Sequence, residues 1–176
     1  MSPELEQIRR EVERVTRDWS DDDWHTAPPN KWTSGHLLEH LRLAFTSTTT
    51  GLRNVMDAGR PLGSRANFTQ RCKVFVVTKL GFMPARATAS ASTTPRDGLD
   101  TTSMRRFFDA LVAMDATLTD VERRFGSRVK LLDHPILGPL TAMQWRRFHR
   151  THALHHLKQL EQRHPAAGTR GGNPSA

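Results

Sequence analysis

Tyrosine is missing from all 176 residues, and cysteine occurs once, at Cys72. A single cysteine excludes an intramolecular disulfide, a CxxC redox pair and a cysteine-built metal site. The lack of tyrosine removes the phenolic acid that some thiol chemistry uses. No apolar run approaches the ~20 residues of a membrane span. The opening MSPELEQIRREVER is charged and has no apolar signal core. The expectation is a soluble, cytoplasmic protein with no membrane partner.

Aromatic residues make up only 7% of the chain, and they do not alternate with its basic residues as a base-stacking platform needs. The formal net charge of +8 raises the question of nucleic acid. The arginines, however, fall in scattered pairs, Arg9-Arg10, Arg105-Arg106, Arg123-Arg124 and Arg146-Arg147, each within a segment that also has an apolar face. They read as solvated helix faces, and a basic nucleic-acid-associated protein ranks as the third alternative for function.

What the chain does have is helical periodicity. Ser2-Pro3-Glu4 is a helix start, with the hydroxyl as cap and Pro in the first turn. Leu5, Ile8, Val12 and Val15 follow, and the pattern ends near Trp19. Pro28-Pro29 forbids helix in the connection. A second helix begins at Thr33 or Ser34 and runs to about Ala58, burying Leu37, Leu41, Ala44, Thr48 and Val55. Residues 68–80 are ambiguous, since the β-branched run VFVV suits a strand, but a lone strand would lack a partner and a short helix is the favoured reading. The turn-rich stretch 81–100 is a long loop. A third long helix spans about 102–125. The fourth starts at Thr141-Ala-Met-Gln144, a capping box, and runs to about His164. The fold class is therefore all-α, a four-helix bundle with a long loop and a short extra helix between helices two and three. It occupies residues 1–164, and 165–176 form a disordered tail.

Four of nine histidines lie in FHRTHALHHLKQ, residues 148–159. At about 100° per residue, His152 and His156 sit near the centre of the face carrying Trp145, Phe148, Gln159 and Leu160, with His149 and His155 towards opposite edges. A four-residue step stacks two imidazoles where one divalent ion can bridge them, the spacing of the HExxH zinc helices. Position 153 is Ala, so the protease reading fails. A third ligand is expected from a facing helix. KWTSGHLLEHL offers His36 and His40; His40 is nearer the apolar stripe and is the better candidate, whereas His36 sits in the first turn. Three neutral imidazoles leave a divalent ion with open positions, the pattern of a catalytic site. Zn²⁺ is the simplest occupant, with Ni²⁺, Fe²⁺ and Mn²⁺ also compatible. His36, Glu39, His149, His155 and Gln159 are candidates to orient the ligands or carry protons. Each imidazole alone could equally be a core histidine with its hydrogen bond satisfied.

KWTSGHLLEHL together with HPILGPLTAMQWRRFHRTHALHHLKQL resembles the DinB/YfiT-like superfamily of metal-binding four-helix bundles, and in particular one uncharacterised branch of it, domain-of-unknown-function family 1569. The resemblance covers about residues 30–160. It implies that His40, His152 and His156 bind a divalent metal. Characterised relatives include thiol-dependent S-transferases, a maleylpyruvate isomerase and iron-binding domains of sulfoxide synthases. The implied function is a metal-dependent transferase (thiol S-transferase) or hydrolase acting on a small molecule or low-molecular-weight thiol. The alternative is a metal-binding or stress-response bundle without turnover. The resemblance also implies a homodimer.

Overall fold

The computed structural model describes residues 1–83 and 91–164. Its elements in chain order are helices α1 (Pro3–Thr16), α2 (Asp21–His25), α3 (Ser34–Asp57) and α4 (Phe68–Lys79), a single 3-10 turn at Ala91–Thr93, helix α5 (Met104–Phe125), strands β1 (Leu132–His134) and β2 (Gly138–Leu140), and helix α6 (Ala142–Arg163). The protein is mostly helical, and the two short strands form one antiparallel hairpin.

Local chemistry sets the helix ends. Thr33 Oγ1 accepts the His36 amide at the start of α3, and Thr141 and Gln144 close a reciprocal capping box at the start of α6. Asn67 and Gln70 do the same for α4, which confirms helix rather than strand for that β-branched run. Gly126, at φ 97°, ends α5.

Several expectations need correcting. The Ser2 hydroxyl makes no cap bond; instead the Ser2 amide donates to Asp115 at 2.7 Å, tying the chain start to α5. Beyond Trp19, where the first helical pattern ends, Ser20 and Asp23 form a capping box that opens the short helix α2, which was not anticipated. The hairpin was not anticipated. It turns on Gly138, at φ 75°, and on His134, whose Nδ1 accepts the amides of Ile136 and Leu137 at 3.1 and 3.2 Å. The tail at 165–176 and part of the 81–100 loop lie outside the described residues.

The core joins Leu5, Ile8 and Val12 of α1 to Leu38, Leu41, Phe45 and Leu52 of α3, Phe107, Leu111, Leu118 and Val121 of α5, and Ala153, Leu157 and Leu160 of α6. α3 lies along α5 and α1 along α6, while α6 also meets α3, α4 and α5. Helix α6 is thus enclosed on most of its circumference, which puts its polar residues inside the protein. Gly35 brings a second segment to the same region. A Cβ there would lie 2.2 Å from the Leu99 carbonyl, so only glycine lets residues 91–99 lie against α3. The Leu99 amide donates to the Gly35 carbonyl at 3.0 Å and fixes that approach. Among the described residues no helix is long and apolar enough to cross a membrane.

Candidate metal centre

His40 projects from the second turn of α3, and His152 and His156 from successive turns of α6. One ring nitrogen of each lies within 4.8 Å of the other two. The central contacts are His40 Nε2 to His152 Nε2 at 3.1 Å and His156 Nε2 to His152 Nε2, also 3.1 Å. The rings meet nearly edge to face, and Trp32 covers His40 while Phe148 stacks on His152.

Hydrogen bonding on the outer side of each ring decides what the inner nitrogens carry. The Thr93 carbonyl can only accept, so His40 donates from Nδ1, at 2.7 Å, and its Nε2 presents a lone pair inward. His156 Nδ1 faces Gln159 Oε1 at 2.9 Å and donates likewise, leaving its Nε2 bare. Gln159 is oriented in turn by His155, whose Nε2 accepts from the Gln159 amide nitrogen at 3.2 Å. His152 has at most one proton for these two facing lone pairs, and its Nδ1 is buried without a partner among the described residues. At least one of the two 3.1 Å contacts therefore sets lone pair against lone pair.

Burial pushes the protonation of all three imidazoles down. His156 falls to about 4, against the support of its Gln159 hydrogen bond. His152 is lowered well below the ordinary range by burial first and then by the neighbouring imidazoles, and His40 is lowered by burial. A proton on one ring would have to be shared in a desolvated space with no carboxylate. Among the described residues no Asp or Glu hydrogen-bonds any of the three. Neutral nitrogen donors converging in this way suit a borderline divalent cation, and the donor set fits one.

The other candidates separate clearly. Gln159 and His155 form the outer chain just described. His36 is occupied at the α3 start, with Nδ1 2.6 Å from Thr33 Oγ1. Glu39 is bonded to Arg42 at 2.6 and 2.7 Å. His149 is no edge residue: it is fully buried, bonds Thr48 Oγ1 at 3.0 Å and stacks on Trp145, and burial lowers its pKa to about 3.

Two further polar clusters escaped sequence reasoning. Arg146, read as half of a solvated pair, is 5% exposed. It bonds Asp115 at 3.1 Å, Glu122 at 2.6 Å and Thr119 at 3.0 Å. At the other end of α6, His164 Nδ1 lies 3.0 Å from Asp23 Oδ1 and its Nε2 lies 2.9 Å from Ser34 Oγ. That is the connectivity of a nucleophilic triad. Ser34, however, is wholly buried, its hydroxyl also lies 3.2 Å from the Thr26 carbonyl, and Trp19 packs on the imidazole. The group clamps α2, the start of α3 and the end of α6. The signal for both clusters was long-range, and nothing in the local spacing carried it.

The class of protein is now defined: a mostly helical fold holding a partly buried cluster of three histidines that is compatible with metal binding. The chain belongs to the family described as "Protein of unknown function (DUF1569)", whose model matches residues 3–163. No curated protein and no solved structure matches the chain.

Proposed function

We propose that this protein is a divalent-metal-binding four-helix bundle of the DinB/YfiT-like kind, with His40, His152 and His156 as ligands through Nε2, and that it serves a metal-dependent transfer or hydrolysis on a small molecule. The observation that carries the reading is the pair of inward lone pairs, on His40 and His156, aimed at a third imidazole that cannot satisfy both.

The residues present do the following work. Thr93 and Gln159 hold His40 and His156 in the tautomer that leaves Nε2 free, and His155 holds Gln159. Trp32 and Phe148 pack on two of the rings and exclude water from their faces. A bound ion supplies Lewis acidity, lowering the pKa of a coordinated water or thiol. Three neutral ligands leave its charge uncompensated, so the site favours an anionic oxygen or sulfur donor over a neutral one. This preference supports a low-molecular-weight thiol or an activated water as the reacting partner.

The test begins with metal analysis of protein purified without an affinity tag. About one divalent ion per chain is expected, falling to background in His40→Ala, His152→Ala and His156→Ala. Unchanged metal uptake in all three variants would end the proposal. Thiols paired with electrophilic substrates then test turnover; a loaded protein inert to every pair supports the metal-binding module without catalysis.

A further inference from the structure

Between Asp57 and Asp97 the chain has seven Lys and Arg residues and no Asp or Glu. With a net charge of +8 for the whole protein, nearly all of the excess resides in this one segment, and the remainder is close to neutral. Helix α4 lies in its middle. Only Val74 and Val77 of this helix are buried, and it is anchored on α6 through the bond from Thr151 Oγ1 to the Val77 carbonyl at 3.0 Å.

The opposite side of α4 is apolar as well. Phe68 is 79% exposed and Phe75 55%, and just past the helix Leu80 and Phe82 are 65% and 61% exposed. Phe68, Cys72 and Phe75 follow one another along one outward line of the helix. Gly81, at φ 67°, reverses the chain so that the Phe82 amide bonds the Val76 carbonyl, keeping Phe82 beside the helix end. Arg71 and Lys73 flank the line on either side and Lys79 continues it. Arg65, Arg71, Lys73 and Lys79 are all exposed, and none pairs with a carboxylate among the described residues. Exposed aromatic and aliphatic groups flanked by unpaired cations are the make-up of an interfacial helix lying in the headgroup region of an anionic bilayer.

We propose that α4 and the turn after it dock this protein peripherally on an anionic lipid surface, with Phe68, Phe75, Leu80 and Phe82 entering the acyl boundary and Arg65, Arg71, Lys73 and Lys79 held at the phosphates. This departs from the expectation of no membrane partner, which rested on the lack of a spanning helix and does not bear on a helix lying flat. Charge decides against a second copy as the occupant. A two-fold pairing would set Arg71, Lys73 and Lys79 against themselves with no acid to offset them. Nucleic acid is less suited, because Leu80 offers no ring on which a base can stack.

Cys72, the sole cysteine and exposed, gives a label site in the middle of the face. Full-length protein carrying an environment-sensitive fluorophore there is mixed with phosphatidylglycerol–phosphatidylcholine vesicles and, separately, with phosphatidylcholine vesicles. Co-sedimentation and a blue shift are expected with the anionic vesicles only, reversed by salt. The triple variant Phe68→Ser, Phe75→Ser, Phe82→Ser should lose the blue shift. The variant Arg71→Gln, Lys73→Gln, Lys79→Gln should partition roughly a hundredfold more weakly, given the few-fold contribution of each surface cation. These positions are exposed, and circular dichroism verifies that the variants fold. Equal behaviour with both vesicle types, or no binding to either, overturns the proposal. So does a dimer in sedimentation equilibrium that the phenylalanine variant breaks without any vesicle binding. Binding to an oligonucleotide that displaces the vesicles and survives the phenylalanine changes also overturns it, in favour of nucleic acid.

Discussion

Helix α6 carries two largely buried polar clusters about two turns apart, and they are built on opposite principles. Around Arg146 the charges are complementary: Asp115 and Glu122 from α5 meet the guanidinium, Thr119 takes a further N–H, and the Ser2 amide satisfies the second Asp115 oxygen. Around His152 all groups are of one kind, and among the described residues the Nε2 atoms of His40 and His156 have only the His152 ring to face. The first network is complete in itself and holds α1, α5 and α6 together. The second places like groups in contact, which folding alone does not favour. A buried cluster whose polar atoms are all matched belongs to the fold, whereas one that leaves lone pairs facing each other is suited to a ligand.

The sharpest break of that contrast is at Arg146. Arg146→Ala leaves Asp115 buried without its counter-charge and should cost about 3–5 kcal/mol in urea unfolding. His152→Ala in metal-free protein should cost clearly less, because its Nδ1 has no partner to lose. A larger loss at His152 than at Arg146 would reverse the assignment of roles.

Metal should then separate the two clusters further. A saturating divalent ion at about 100 times Kd raises wild-type stability by about 2.7 kcal/mol. The thermal midpoint should rise accordingly, and not at all in His152→Ala. A rise of equal size in both proteins would place the ion elsewhere.

A smaller effect belongs to the outer chain. Gln159→Leu removes the acceptor that fixes the His156 tautomer and should weaken metal affinity roughly 10- to 100-fold without loss of fold. His155→Ala, one bond further out, should weaken it less. Isothermal titration calorimetry reads both, and an unchanged affinity in Gln159→Leu would remove that residue from the site.

The gentlest probe is pH. His134 and His149, held by burial at about 4 and about 3, stay neutral in the folded protein where the unfolded chain begins to take up protons. Below the ordinary imidazole value near ~6.5 the unfolded state binds more protons, so stability falls as pH falls, by up to about 1.4 kcal/mol per pH unit for each such group. The loss continues until pH reaches the folded values. His149→Phe should flatten the slope between about pH 6 and 4 by one group's share. Arg146 does not titrate in this range. An unaltered slope would mean His149 is protonated in the fold.

Much of this was legible in the residues, and the failures have a common cause. The capping box at Thr141–Gln144, the stripe of α3 and the four-residue step from His152 to His156 are local, set within one or two turns of chain. They led to the long helices and to the same three imidazoles that the fold brings together. The misreadings of His149 and Arg146 came from treating α6 as a helix with one wet side. It is packed by α1, α3, α4 and α5 around most of its circumference, so positions that a wheel calls edges become interfaces. The hairpin at 132–140 escaped because its turn is made by the His134 imidazole accepting two nearby amides and by the positive φ of Gly138, features too short in range to leave a periodic pattern.

The sequence by itself determined where the helices start and stop and that His152 and His156 share a face, because caps and side-chain periodicity act over a few residues. Only the tertiary structure decided that His40 meets them and His36 does not, that Thr93 and Gln159 turn the lone pairs inward, and that Arg146 is spent on the fold. The meeting of His40 with the α6 pair and the bond from His40 to Thr93 depend on the register of α3 against α6 and on Gly35 admitting the 91–99 segment, and the fate of Arg146 depends on α5 lying against α6; these are contacts between distant residues that no local pattern encodes.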